Sequence, residues 1–188
     1  NWDQVVKKVS AHAVKIETQS GHGTGFLFMY NDTNTWCGIA TANHVVSYAD
    51  DWQQPIKIYP QSGEPLLLTS TERTIYRDWN TDSAVILFFK GDFQLPQVPL
   101  ALLPMGKLID IGAEVGWLGF PSVAPQNLCF FSGNISAHQE YRNAYLIDGV
   151  AINGVSGGPV LYLDNTDGVQ IVGTVSAYSA NRATGEAL

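Results

Sequence analysis

Two runs of short apolar segments, broken by turn-forming residues, leave few folds open to this chain. Runs of about four to eight β-branched or aromatic residues bounded by Gly, Pro, Asn and Asp read as strands. Segments 14–17, 26–30, 37–42, 56–59, 66–69, 73–76 and 84–89 form the first series, with 21–25 and 31–35 read as turns. Segments 114–119, 128–136, 145–148, 159–163 and 170–176 form the second. Between them the Pro-containing stretch 93–104 breaks the pattern, so a linker is expected near residues 91–107. One segment, 3–9, carries Val5, Val6 and Val9 at helical spacing and predicts a short opening helix. The expected class is all-β, an antiparallel barrel or sandwich on each side of the linker.

Composition narrows the function. At 45% hydrophobic and 14% charged residues, the 188-residue chain lies far from the disorder signature. No apolar run approaches the roughly 20 residues that span a bilayer, so no membrane partner is expected. Lys and Arg number 10 against 17 Asp and Glu, a net charge of −7, and the cations are scattered, with Lys7 and Lys8 adjacent. A phosphate-binding surface needs clustered cations, so nucleic acid is not an expected partner either. Cys37 and Cys129 fit no closely spaced zinc pattern and are expected as unpaired structural thiols. His12, His22 and His138 have no Cys or carboxylate at ligand spacing, and no metal is expected.

Three segments carry chemistry. The run Ile39-Ala40-Thr41-Ala42-Asn43-His44-Val45-Val46 ends a strand with a histidine. In Asn80-Thr81-Asp82-Ser83-Ala84-Val85 an aspartate precedes a strand. In Asn153-Gly154-Val155-Ser156-Gly157-Gly158-Pro159-Val160 a serine sits in a glycine-rich turn before another strand. Taken singly, each has an ordinary structural explanation. Together they supply a nucleophile, a base to take its proton, a carboxylate to orient that base, and backbone N–H groups beside the serine. Asp78 is the near rival of Asp82.

These segments resemble the chymotrypsin-fold, trypsin-like serine proteases, closest to the HtrA-like and bacterial trypsin-like branch. Gly23-Thr24-Gly25-Phe26 is similar to the family's Gly-Ser-Gly-Phe, and Ala40 to Val46 to its Leu-Thr-Asn-Asn-His-Val-Val. Asp82-Ser83-Ala84-Val85 is similar to Asp-Leu-Ala-Val, and Trp117-Leu118-Gly119-Phe120-Pro121 to Ala-Ile-Gly-Asn-Pro. Gly154-Val155-Ser156-Gly157-Gly158-Pro159 is similar to Gly-Asn-Ser-Gly-Gly-Pro, and Gly173-Thr174-Val175-Ser176 to the strand that flanks bound substrate. The resemblance implies two packed six-stranded antiparallel β-barrels with the site in the cleft between them. Residues 1–100 would form the barrel carrying His44 and Asp82, and residues 101–188 the barrel carrying Ser156 and the specificity pocket. It implies a triad of His44, Asp82 and Ser156, an oxyanion hole from the N–H groups of Gly154 and Ser156, a polypeptide substrate and no cofactor.

The same resemblance places Val150 and Ala151 at the base of the specificity pocket, and Val175, Ser176, Ala177 and Tyr178 along its wall. No charge sits at that base, which disfavours Arg or Lys before the scissile bond. Glutamate-specific relatives carry a His where Val175 falls. The expected preference is for small or medium apolar residues, with Tyr178 narrowing the entrance. Val155 stands where trypsin-like zymogens carry an Asp that pairs with a freed N-terminus, so activation by N-terminal cleavage is not expected. The chain starts at Asn1-Trp2 without a Met, and Gly185 to Leu188 resembles the beginning of the family's last strand. Both features lead us to expect processing, and a fragment of a longer protein with further domains or a regulatory partner.

Two other classes stay open at this stage. A protease-fold binding or regulatory module would show little activity in isolation, although such modules usually lose a triad member and this chain keeps all three. An acyl hydrolase would use a Gly-x-Ser-x-Gly elbow, which residues 154–158 match. That elbow leads into a helix with triad order Ser, Asp, His, whereas here the His comes first and the following segment reads as a strand.

Overall fold

The computed structural model describes residues 1–150, 152–164 and 168–176. Helix α1 (Trp2–Val9) and a 3-10 turn (Ser10–His12) lead into β1 (Ala13–Thr18), β2 (Gly21–Tyr30) and β3 (Trp36–Ala42). Helix α2 (Asn43–Asp51) follows, then β4 (Ile56–Tyr59), β5 (Leu66–Leu68), β6 (Arg73–Asp78) and β7 (Ser83–Phe89). After a long connection come β8 (Glu114–Gly119), β9 (Cys129–Gln139), β10 (Ala144–Asp148), β11 (Pro159–Asp164) and β12 (Gly168–Thr174). The strands form two curled antiparallel sheets, the two-barrel arrangement that the resemblance implied. Among the described residues seven strands share one sheet, in the order β5-β4-β1-β2-β3-β7-β6, and five the other, β10-β9-β8-β11-β12.

Alternation builds each core. On β7 the side chains of Ala84, Ile86 and Phe88 turn inward, and on β4 those of Ile56 and Ile58 do. They join Val14, Ile16, Leu27 and Ile39 in the first core. A second core gathers Val115, Trp117, Ile135, Val155 and Val160. A third cluster draws on both sheets: Phe26 and Ala40 from the first meet Leu118, Leu161 and Ile171 from the second. Helix α1 closes this seam with Val5 and Val9, the apolar face that its spacing predicted, while Trp2 tilts against Phe130 with ring centroids 5.3 Å apart.

The expected linker is partly docked. Residues 101–103 run beside β12, with Leu103 N–H donating to the Ile171 carbonyl at 2.8 Å and Ile171 N–H to the Ala101 carbonyl at 2.8 Å. Both cysteines are free thiols, and burial pushes the Cys37 thiol up to about 12, so it stays protonated.

Two local expectations need correction. Residues 21–25 are strand, not turn, and pair along β1 from Thr18–Gly21 to Ala13–Phe26. The glycines serve close packing, since a Cβ at Gly23 would collide with the Val45 methyls and one at Gly25 with Ile16 and Ile39. The strand ends at Ala42, as expected, but a helix that was not expected follows at once, and His44 lies in the first turn of α2.

The seam joins the two sheets through one apolar cluster, so the chain should unfold as one cooperative unit. Leu161→Ala, at a fully buried position shared by both sheets, should lower the unfolding free energy by about 2–5 kcal/mol. Urea denaturation followed by tryptophan fluorescence should show one transition moved to lower urea, not two separate ones.

Candidate active site

Helix α2 begins against Asp82, a residue 38 positions later in the chain. Asn43 N–H donates to the Asp82 backbone carbonyl at 3.0 Å, and His44 N–H to Asp82 Oδ1 at 3.0 Å. The first N–H groups of a helix have no partner within it, and a carboxylate is well suited to take them. Residues Asn43, Val46 and Ala49 face the first barrel at helical spacing, which leaves His44 on the outer side, half exposed. At the other end of α2, Arg73 donates to the Ala49, Gln54 and Leu68 carbonyls at 3.2, 2.7 and 2.9 Å. Arg77 pairs with Asp50 and Asp51 at 3.3 and 2.8 Å. The helix that carries His44 is therefore tied at both ends.

His44 Nδ1 donates to Asp82 Oδ2 at 2.8 Å, and the Ser176 hydroxyl donates to the same oxygen at 2.6 Å. Asp82 adopts φ 50°, the left-handed region that Asp tolerates better than most residues, and this turns its carboxylate onto the helix start. Asp78 faces its own turn instead, accepting Asn80 N–H at 2.9 Å and the Thr81 hydroxyl at 2.9 Å. Burial would raise the Asp82 carboxyl, but the bonds from the His44 ring, the Ser176 hydroxyl and the His44 N–H outweigh it, and the group lies below the usual carboxylate range. The Asp82 hydrogen bond raises the His44 imidazole above its ordinary value, against a smaller opposing effect of burial.

Ser156 follows the turn that precedes β11. Its hydroxyl donates to the Ser176 carbonyl at 3.2 Å, and among the described residues no hydrogen bond joins it to His44 Nε2. Ser176 thus touches both sides, with its hydroxyl on Asp82 and its carbonyl on Ser156. The turn itself is closed by Val155 N–H donating to the Ile152 carbonyl at 3.2 Å, with Gly154 at φ +94°. A side chain at Gly154 would also collide with the Phe120 carbonyl, so the position needs glycine on both counts. Among the described residues the N–H groups of Gly154 and Ser156 have no acceptor. Val155 is buried in the second core, against Gly119.

The remaining expected residues fall differently. Val150 is 58% exposed and forms no enclosed floor by itself. Val175 packs on the second core. Ser176, expected along a pocket wall, turns its hydroxyl to Asp82, a role that its spacing in the sequence does not signal. Ala151, Ala177 and Tyr178 lie outside the described residues. His12, His22 and His138 each meet a backbone carbonyl, of Val98 at 3.0 Å, Phe120 at 2.9 Å and Ile109 at 2.6 Å. A cavity of about 770 Å³ opens elsewhere, between β5 and β6, lined by Trp36, Leu66, Arg73 and Phe89, and holds none of His44, Asp82 or Ser156.

Residues 23–173 match the family described as trypsin-like peptidase domain. Among curated proteins none matches the chain. Among solved structures, the active form of the Rv3671c protease from M. tuberculosis is similar at 24% identity and TM-score 0.67, over 97% of this chain and 76% of that one. An inactive form of Rv3671c, a serine-to-alanine mutant, is similar at 23% identity and TM-score 0.66, over 97% and 82%. Deg5 is similar at 22% identity and TM-score 0.65, over 85% and 78%.

The geometry sets a titration test that needs no substrate. In an NMR titration the His44 ring should lose its proton at a midpoint above the ordinary histidine value of about 6.5. In Asp82→Asn the midpoint should fall back toward or below that value, because the anion that favours the imidazolium is gone.

Proposed function

The chain belongs to the trypsin-like peptidase domain family and is a serine endopeptidase, and from that premise we propose that Ser156, His44 and Asp82 perform its acyl transfer. Ser156 Oγ attacks the carbonyl carbon of the scissile bond while its proton passes to His44 Nε2. Asp82 holds the tautomer with the proton on Nδ1 and stabilises the imidazolium. The carbonyl oxygen, now negative, is met by the N–H groups of Gly154 and Ser156. His44 then gives its proton to the leaving nitrogen, which departs as an amine and leaves the acyl group on Ser156. Water attacks this ester by the same route, again losing its proton to His44, and releases the acid and the free hydroxyl.

The observation that carries this reading is the convergence on one carboxylate oxygen of the His44 ring at 2.8 Å and the Ser176 hydroxyl at 2.6 Å, with Ser156 bonded to the carbonyl of that same Ser176. In this reading the Ser156 hydroxyl would leave the Ser176 carbonyl and turn to His44 Nε2 by rotation about Cα–Cβ, and side-chain rotamer exchange is far faster than turnover. In the same reading residues 1–100 and 101–188 are the two halves of one peptidase domain. Val150, Ala151, Val175, Ser176, Ala177 and Tyr178, none of them charged, are the residues we assign to the specificity pocket. Val155 fills the core beneath the nucleophile's turn, where an acidic residue would need a freed N-terminus. Control by a regulatory partner would act through the turn around Asn153.

Specificity follows from the uncharged pocket. A Lys or Arg side chain placed there would be desolvated without a partner, while an apolar one gains roughly 25 cal/mol per Å² buried. Matched peptides with Val, Leu, Arg or Glu before the scissile bond should be cleaved fastest after Val or Leu, with and without an N-terminal extension on the enzyme. A preference for Arg or Glu overturns the pocket assignment.

Ser156→Ala should lower kcat by a factor on the order of 10⁶, leave the thermal transition in place and abolish labelling by a fluorophosphonate. Undiminished turnover in that variant overturns the triad.

A further inference from the structure

The turn before Ser156 is held from the opposite barrel by one side chain, Thr24 of β2. Thr24 is fully buried and all of its polar atoms are engaged. Its hydroxyl donates to the Gly154 carbonyl at 2.8 Å and accepts the Phe120 N–H at 3.0 Å. Its backbone N–H donates to the Ser156 carbonyl at 2.8 Å, and its carbonyl accepts the Thr41 hydroxyl at 2.7 Å. Three of these four partners belong to the second barrel, two of them flanking Val155 in the turn itself.

Gly154 is the flexible point of that turn. A glycine populates φ on both sides of zero with little cost, so the peptide planes on either side of it need outside anchors. The plane before Gly154 is anchored by Ser122 N–H, which donates to the Asn153 carbonyl at 2.7 Å. In a trans peptide the C=O and N–H point in opposite directions, so this bond sends the Gly154 N–H away from Ser122. The plane after Gly154 is anchored at its carbonyl by the Thr24 hydroxyl and at its Val155 N–H by the Ile152 carbonyl. The segment that supplies Ser122 is in turn fixed by Phe120, whose N–H reaches Thr24 and whose carbonyl accepts His22 Nε2–H at 2.9 Å. On each side of Gly154 one anchor therefore traces back to β2, while the Ile152 bond is internal to the second barrel.

The geometry points to Thr24 as the positioning residue that keeps the Gly154 N–H aimed at the oxyanion, in place of the ion pair that Val155 cannot make. This inference rests on the assignment of Ser156 and Gly154 made above. A valine at position 24 keeps the shape and the backbone bonds but leaves the Gly154 carbonyl and the Phe120 N–H buried without a partner. The orientation of one oxyanion donor is then lost in part, while the triad and the substrate groove are unchanged.

The test compares Thr24→Val, Thr24→Cys and Thr24→Ser with the natural chain on one peptide substrate. Thr24→Val should lose roughly 10- to 100-fold in kcat with KM changed less than about threefold. Affinity for a peptide aldehyde, whose adduct with Ser156 places its oxygen at the same donors, should fall by the same factor as kcat. The His44 midpoint in the pH profile should not move. Thr24→Ser should restore the rate, and Thr24→Cys, with a weaker donor of similar size, should fall between; if Thr24→Val does not fold, the Cys and Ser pair decides. Unchanged kcat in the Val or Cys variant overturns the proposal, as does a loss that appears only as fewer sites titratable by a fluorophosphonate. If the natural chain itself fails to label at Ser156, the underlying assignment has failed, and not merely the role of Thr24.

Discussion

The Asp82 carboxylate sits where a helix begins, and that position decides most of what surrounds it. One oxygen accepts the His44 N–H and the other accepts the His44 ring and the Ser176 hydroxyl. A helix start presents free N–H groups and a partial positive charge, so it stabilises an anion that burial alone would neutralise. Asp82 caps α2 and stays charged, against burial, chiefly because the His44 ring and the Ser176 hydroxyl donate to it, with the His44 N–H adding to them. The linkage has two signs. The lowered carboxyl of Asp82 adds stability above its unfolded value and loses it as pH falls, while the raised imidazole of His44 adds stability below its unfolded value and loses it as pH rises. The pair is partly exposed, which keeps either contribution small.

The second dependence is on the seam. Neither sheet carries the whole cluster: His44 and Asp82 belong to the first, and Ser156 and Ser176 to the second. Their alignment is only as good as the packing of Phe26 and Ala40 against Leu118, Leu161 and Ile171. Strand β2 lies at this junction and contributes twice, with Phe26 in the apolar seam and Thr24 in the polar contact two residues away. Residues 24 and 26 share one face of a strand, so the period of two puts the hydroxyl beside the core that holds it.

The strands were legible because their apolar periodicity is local, and His44, Asp82 and Ser156 stood out as candidates because each stands in a short motif. What escaped the sequence depends on partners far along the chain. Helix α2 is nine residues long, below the length at which a helix persists alone, and its start is capped by Asp82 while its end is tied by Arg73 and Arg77. Residues 21–25 read as a turn because three of the five are glycine, yet two of them, Gly23 and Gly25, admit Val45, Ile16 and Ile39 over a strand. The contact of Ser176 with Asp82 spans the two sheets, and no spacing encodes it.

The two ends of α2 show why the histidine can be both exposed and well placed. A half-exposed side chain has little packing to hold it, so its position must come from the backbone that carries it. Asp82 supplies an anion at the N-terminal end of α2, and Arg73 supplies a buried guanidinium to carbonyls at its C-terminal end. Each charge opposes the helix dipole at the end where it sits. The helix is thereby fixed in register against the first barrel, with Val46 and Ala49 packed beneath it. His44 is left on the outer side of α2, half exposed, with its Nδ1 held by Asp82.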